Sequence, residues 1–126
     1  MADVKDLAQL YRRRCMLTGI RDYLTYHHIV KREDGGPRDI ENGGIVFSGI
    51  HQWHHNWCEL YDRVLYIKTN GIIREYKELV VDPPYWFNDW VDENNIFYLR
   101  KGMEYYKNRH DIPMVKRFKR EYEKRF

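Results

Sequence analysis

Apolar residues recur along the chain at spacings that predict a mixture of helices and strands. In residues 4–11 they recur every three or four positions, as in an amphipathic helix. Residues 24–30 are rich in β-branched and aromatic side chains, and residues 45–47 form a short apolar run between glycines. We therefore predict an N-terminal helix followed by two strands, which a polar loop over residues 31–41 connects.

A helix is predicted directly after the second strand, and the helical spacing then continues to residue 79. Ser48 is a candidate N-cap of the first of these helices. The Asn-Gly pair at 70–71 interrupts the spacing, and a hairpin turning at this pair is the alternative. Because the residues on either side of the pair do not alternate as strands do, we favour helices.

The clearest break in the pattern is the Asp-Pro-Pro run at 82–84. It divides the chain into a core, residues 1–82, and a C-terminal extension, residues 83–126. In the extension we predict a helix around residues 96–108 and a last helix that Asp111 caps. The pattern as a whole predicts an α+β protein whose helical extension packs on the core or contacts a partner.

Composition excludes several classes of protein. The 126 residues suit one compact domain with an appended arm. Two cysteines are too few for a disulfide framework, so we expect reduced thiols. No apolar run approaches the ~20 residues that cross a bilayer, and the polar N-terminus has no signal-peptide core. We expect a cytoplasmic protein without membrane contact.

Positive charge gathers at the two ends of the chain. The net charge is +3, but residues 1–21 alone carry +3 and residues 113–126 carry +4, whereas residues 59–95 carry −4. A mildly basic chain permits a polyanionic partner without requiring one. The two basic ends could therefore flank a functional site.

Five of the six histidines fall between residues 27 and 55, across the predicted strands and helix. His51 and His55 are one helical turn apart, so their imidazoles can meet one metal ion. On a strand His27 and His28 point to opposite faces, so only one of them can readily join His51. The other is left for acid–base chemistry, for which imidazole is suited near neutral pH.

The order of these residues resembles the motif of the HNH endonucleases. His27 and His28 stand on the predicted first strand, a Gly-Gly loop follows at 35–36, and His51 comes nine residues after Asn42. The resemblance covers residues 15–55, about a third of the chain. It implies a ββα-metal core, a two-stranded antiparallel hairpin plus a helix, embedded in additional mostly helical segments. It also implies a metal-dependent endonuclease that hydrolyses phosphodiester bonds in DNA.

The resemblance also implies a role for each residue of the motif. His27 and His51 would be metal ligands, and His55 matches an extra histidine of the colicin-type DNases that completes a three-histidine site. His28 would be the general base that activates water, and Asn42 would brace the loop and hold His28. The cofactor implied is one divalent ion, with Zn, Mn, Ni or Co favoured by the imidazoles and Mg admitted by the open coordination positions.

The sequence departs from the HNH pattern at the structural zinc that many members carry. Cys15 stands at the first cysteine position, but Thr18 replaces its partner, and Ser48 and Ile50 replace the second pair. We expect no structural zinc. Cys58 lies outside the motif and is interpreted as a core thiol.

Basic residues on both sides of the motif are candidates for contacts with nucleic acid. We predict that Arg13, Arg14, Lys31 and Arg32 hold the phosphate backbone without reading the sequence. The partner that we expect is nucleic acid, in the form of double-stranded DNA. The last helix could dock its apolar face on the domain or on a second subunit and lay its basic face along the nucleic acid. A homodimer would make double-strand cleavage natural.

Two alternatives to an active nuclease stay open at this point. One is a binding or inhibitor protein on the HNH scaffold, such as a phage-type regulator, with little or no cleavage activity. The presence of His28 and Asn42 argues against it, because a protein that only binds has no chemical need for these two residues. The other is a structural zinc site built from His51, His55, Cys58 and a strand histidine. His54 lies off the face shared by His51 and His55, so we assign it to the surface or to substrate contact.

Overall fold

The computed structural model describes residues 2–126 and shows a mixed α+β protein. Two strands form an antiparallel hairpin, and helices precede and follow it. The elements in chain order are α1 (Val4–Leu10), β1 (Leu24–His28), β2 (Gly43–Phe47), α2 (Ser48–Trp53), α3 (Glu59–Tyr61), α4 (Arg63–Leu79), α5 (Phe87–Asn108) and α6 (Ile112–Glu123). The α+β class predicted from the sequence is confirmed at this level.

The hairpin pairs the histidines of β1 with the glycines of β2. His27 lies opposite Gly44 and His28 lies opposite Gly43. A Cβ atom at Gly44 would lie 2.7 Å from Cγ2 of Ile73, so only glycine lets α4 approach the hairpin this closely. The close approach brings α4 against the strand that carries the histidines.

The helix after β2 changes its hydrogen bonding in the middle. Residues 48–61 run continuously through α2, a π-helical turn over His54–Cys58 and α3. In the π turn the N–H of Glu59 bonds to the carbonyl of His54, five residues back. Ser48 is not the N-cap: β2 runs straight into the helix, so Phe47 takes that position without a side-chain bond.

Helix α4 is uninterrupted across the Asn-Gly pair at 70–71, so the predicted break there is wrong and the hairpin alternative is excluded. The side chain of Asp62 caps the helix by accepting a hydrogen bond from the N–H of Leu65 at 3.1 Å. Asn70 is buried against the hairpin, and its side-chain oxygen bonds to histidines instead of competing for the helix backbone.

Helices α5 and α6 pack on the elements that precede them. The hydroxyl of Tyr106 donates to the carbonyl of Gly49 at 2.8 Å, and the amide of Asn95 donates to the carbonyl of Leu17 at 2.8 Å. Asp111 caps α6 through the N–H of Met114, as predicted, whereas α5 begins well before the predicted residue 96. The largest buried side chains come from all parts of the chain and include Leu7, Ile20, Ile45, Trp53, Tyr98 and Phe118.

Cys15 and Cys58 are both buried and unpaired, as expected of reduced thiols. Burial raises the pKa of the Cys58 thiol to about 12, so this sulfur stays protonated. Among residues 2–126, no helix combines the length and the apolar character required to cross a membrane.

Candidate metal centre

Three imidazoles from β1, α2 and the π turn converge beside the hairpin. Nδ1 of His27 lies 3.3 Å from Nε2 of His51, and Nε2 of His51 lies 3.1 Å from Nε2 of His55. The nearest ligand atoms of the three side chains all lie within 4.8 Å of one another. The three histidines are therefore close enough to hold one metal ion.

The outer nitrogen of His51 is fixed by a threonine. Oγ1 of Thr25 lies 2.8 Å from Nδ1 of His51 and donates its own proton to the carbonyl of Val46 at 2.8 Å. Because the hydroxyl proton is already used, the hydroxyl must accept from Nδ1–H of His51. Nε2 of His51 then carries a free lone pair on the side where the three imidazoles meet.

The other two imidazoles are oriented in the same way. Nε2–H of His27 donates to Oδ1 of Asn70 at 2.7 Å, which leaves Nδ1 as the inward lone pair. Nδ1 of His55 lies 3.4 Å from Oε1 of Glu59, a carboxylate that only accepts, so Nε2 is the inward lone pair. Three lone pairs at these distances repel one another unless a cation lies between them, and this donor set fits a divalent ion.

Burial keeps two of the three imidazoles, those of His27 and His51, neutral. Burial is the main cause that lowers the pKa of His27 to about 4 and that of His51 to about 3, and the neighbouring histidines lower the latter further. Neutral imidazole is the form that binds metal, so few protons compete with an ion at neutral pH.

His54 is buried behind the three histidines, so its predicted place at the surface is wrong. Its ring stacks on Tyr66, with centroids 4.4 Å apart, and its Nε2–H shares Oδ1 of Asn70 at 3.1 Å. Burial, followed by the nearby His27, lowers the pKa of His54 to about 2. His54 follows His51 by three residues, so the two are neighbours on one helix face, and this face packs against Tyr66 and Asn70 of α4.

His28 is half-buried and lines an open cleft together with His51 and His55. Its ring meets Tyr26 edge-on, with centroids 4.8 Å apart. Burial and then the charges of Arg38 and Arg32 lower its pKa, so the imidazole is neutral and able to accept a proton at neutral pH. The three-histidine cluster contains one of the two adjacent strand histidines, as the strand alternation predicts, and that one is His27.

Asn42 ties the loop of the hairpin to the end of β1. Its Oδ1 accepts from the N–H of Val30 at 2.8 Å, and its Nδ2 donates to the carbonyls of Val30 and Pro37 at 3.0 and 2.9 Å. These bonds fix the backbone two residues beyond His28. Asn42 therefore holds the loop against the end of β1, and any effect on His28 passes through the backbone.

The four predicted phosphate-contact residues do not share one place. Lys31 and Arg32 line the histidine cleft, and Lys31 lies 3.1 Å from Glu33 and 3.7 Å from Glu59. Arg14 lines a different cleft, and Arg13 is exposed and lines neither. The structure thus brings two of the four to the histidines.

Three residues that orient the imidazoles were missed from the sequence: Thr25, Glu59 and Asn70. Thr25 precedes His27 by two positions on a strand, and Glu59 follows His55 by four on a helix, so spacing could have indicated both. Asn70 is distant in sequence from both histidines it contacts, and no local pattern indicates it. Cys58 is absent from the cluster and lies in the core, as interpreted.

No protein-family profile, characterised protein or solved structure gives a significant match to this chain.

Proposed function

We propose that the protein is a metal-dependent endonuclease of the HNH (ββα-metal) type that hydrolyses phosphodiester bonds in DNA. The observation that carries the proposal is the placement of four histidines on one strand–loop–strand–helix unit. Three of them present inward lone pairs, and the fourth, His28, lines the same cleft without joining the cluster. A site that only bound metal would need no such fourth imidazole.

The three-histidine cluster leaves room for substrate. Held by three protein ligands, a divalent ion would keep open positions for a phosphate oxygen and the leaving 3′ oxygen, and would neutralise charge in the transition state. Imidazole ligands favour Zn, Mn, Ni or Co, with Mg also admitted. A closed structural zinc site needs a fourth ligand, and Cys58, the candidate named for it, lies in the core away from the cluster.

The residues around the cluster have separate tasks in this mechanism. His28, neutral at working pH, takes a proton from the attacking water. Asn42 holds the backbone that follows His28 through its bonds to Val30. Lys31 and Arg32, at the rim of the cleft, contact phosphate oxygens next to the bond that is cut.

A second candidate is a protein that keeps this scaffold but binds another macromolecule with little or no cleavage. Exposed apolar side chains on α3 and α4 favour it, since such residues commonly mark contact surfaces. Leu60 is 67%, Val64 79% and Ile67 62% exposed. This candidate predicts that no metal ion supports cleavage.

The decisive experiment is plasmid cleavage by the purified protein with Mg, Mn, Ni, Co or Zn, alongside His28→Ala. A matched control is His110→Ala, which removes an exposed histidine outside the cleft. We expect metal-dependent nicking that His110→Ala retains and His28→Ala loses by about 100-fold or more, although His28→Ala still binds the metal. If the wild-type protein cuts neither DNA nor RNA with any of these ions, the proposal is wrong.

A further inference from the structure

A second cleft, here called the basic cleft, lies between the segment after α1, the first half of α5 and the second half of α6. It shares no lining residue with the histidine cleft. Both basic ends of the chain contribute to it, so residues far apart in sequence form one surface. Its cationic side chains are Arg12, Arg14, Arg21, Arg117, Lys124 and Arg125.

The residues that line the basic cleft carry a surplus of positive charge equal to the net charge of the whole chain. Three carboxylates, those of Asp22, Asp92 and Glu121, also line it, which leaves a surplus of three positive charges among the lining residues. The whole chain carries +3, so the formal charges of all other residues cancel. In the histidine cleft Lys31 and Arg32 are balanced by two glutamates. The surplus of positive charge among its lining residues favours a polyanion in the basic cleft over the histidine cleft.

The carboxylates of the basic cleft pair with only some of its cations. Glu121 lies 3.1 Å from Lys124 and 3.6 Å from Arg117, which also pairs with Asp22. By contrast, Arg12, Arg14 and Arg21 have no carboxylate within ion-pair distance anywhere in residues 2–126. These three guanidinium groups are the unneutralised part of the cleft.

Several guanidinium N–H groups in the basic cleft also lack acceptors. The Nε atoms of Arg14, Arg117 and Arg125 are buried and have no hydrogen-bond partner in the described part of the chain. Arg117 uses another nitrogen to pair with Asp22, and Arg125 donates to the carbonyl of Thr18 at 3.0 Å. The side chain of Arg14 has neither an ion pair nor a hydrogen bond within residues 2–126, so among these three its charge is the one that an anion in the cleft would neutralise.

We propose that the basic cleft binds the phosphodiester backbone of the nucleic acid, at a place separate from the histidine cleft where the strand is cut. The inference rests on the proposed function. A chain of phosphates fits better than a single phosphate because the basic surface continues along α6: Arg117 also lines the neighbouring groove, together with Arg120. Binding and cutting are then carried by different residues.

The test measures binding without metal, so that it is independent of cleavage. A short labelled DNA duplex is titrated with the protein in the presence of a chelator at several salt concentrations, and fluorescence anisotropy reports the affinity. The test variant is Arg14→Gln with Arg21→Gln. The matched control is Lys5→Gln with Lys107→Gln, which removes the same charge from exposed positions outside both clefts.

We expect the test variant to bind at least about tenfold more weakly than the control and its salt slope to be shallower by about 1.8, the value for two lost phosphate contacts. Because Arg14 is partly buried, Arg21→Gln alone, at an exposed position, gives a second measurement with half that change in slope. Circular dichroism confirms that each variant is folded.

Two results would overturn the inference. In the first, test and control variants bind the duplex with the same affinity and salt slope. In the second, the test variant loses binding to anionic phospholipid vesicles but not to DNA. Either result leaves the nuclease proposal standing if plasmid cleavage is retained. Conversely, a protein that never cuts but loses DNA binding in the test variant supports the basic cleft alone.

Discussion

Oδ1 of Asn70 accepts hydrogen bonds from two buried imidazoles, those of His27 and His54. Each bond fixes the proton of its imidazole on Nε2, and for His27 this leaves Nδ1 free to face the other two imidazoles of the cluster. Without that oxygen, no hydrogen bond would favour the His27 tautomer that carries its proton on Nε2 and its lone pair on Nδ1. The side-chain amide of Asn70 on α4 thus sets the tautomer of His27 on β1.

Replacing Asn70 by leucine should weaken metal binding by about 10- to 100-fold, because two imidazole N–H groups lose their acceptor. Asn70→Asp keeps an acceptor and should retain the affinity. Titration with Co²⁺, followed by its visible absorption, measures both. Asn108→Leu, at an exposed position near the end of α5, is the control. Equal affinities for Asn70→Leu and the control would rule out the role given to Asn70.

At the scale of elements, the contact between the hairpin and α4 sets the geometry of the histidine cluster. Gly44 lies opposite His27 in the hairpin and in contact range of Ile73, which follows Asn70 by about one helical turn. A side chain at residue 44 would push α4 away from β1. The bond between Asn70 and His27 would lengthen with it, since both residues belong to the elements that separate.

Gly44→Ala should lower the free energy of unfolding by about 1–3 kcal/mol through overpacking, and it should also weaken metal binding although it alters no ligand. Urea denaturation and metal titration measure the two effects. Gly71→Ala is a matched control within α4, because a Cβ there meets no atom within 4 Å. That control should be neutral or stabilise by about 1 kcal/mol. Unchanged metal affinity in Gly44→Ala would contradict this account.

The sequence predicted elements well where periodicity was undisturbed and failed where burial overrode a local signal. The spacing of residues 24–30 and 45–47 located both strands, and Asp111 located the start of α6. The Asn-Gly pair at 70–71 is a strong local turn signal, but tertiary contacts of Asn70 outweigh it. Helical spacing placed His51 and His55 on one face, and the resemblance to the HNH motif singled out His27. The burial of His54 depends on its contacts with Tyr66 and Asn70 of α4, which lie farther along the chain.

At the scale of the whole molecule, the histidine cluster links folding to pH. His27, His51 and His54 are buried beside one another, and their pKa values lie at about 4, 3 and 2, below the 6.5 of an exposed histidine. Unfolding exposes all three and allows them to bind protons. Below pH 6.5 the exposed imidazoles of the unfolded chain bind protons that the buried imidazoles do not, so acid favours the unfolded state.

The metal-free protein should lose stability as the pH falls below 6.5, the unfolded value, toward 4, because the unfolded state then binds up to about three more protons than the folded state. Above 6.5 both states leave these imidazoles neutral and this dependence should vanish. Urea denaturation at a series of pH values in a chelator measures the slope. His110→Asn should show the same slope; a wild-type stability that is constant from pH 7 to 4 would refute the prediction.

The π turn of residues 54–58 has a consequence for how this chain can change over generations. A π turn holds about one residue more than an α turn, so deletion of one codon there could restore α-helical bonding. The segment beyond it would keep its orientation relative to α2, because a π turn takes up one extra residue without rotating the flanking helices. If the deleted residue lies between His55 and Glu59, the two would stand three residues apart instead of four and remain neighbours on one helix face. A lineage could in this way straighten the helix in a single event and keep the contact between this imidazole and its carboxylate, without any substitution at a histidine.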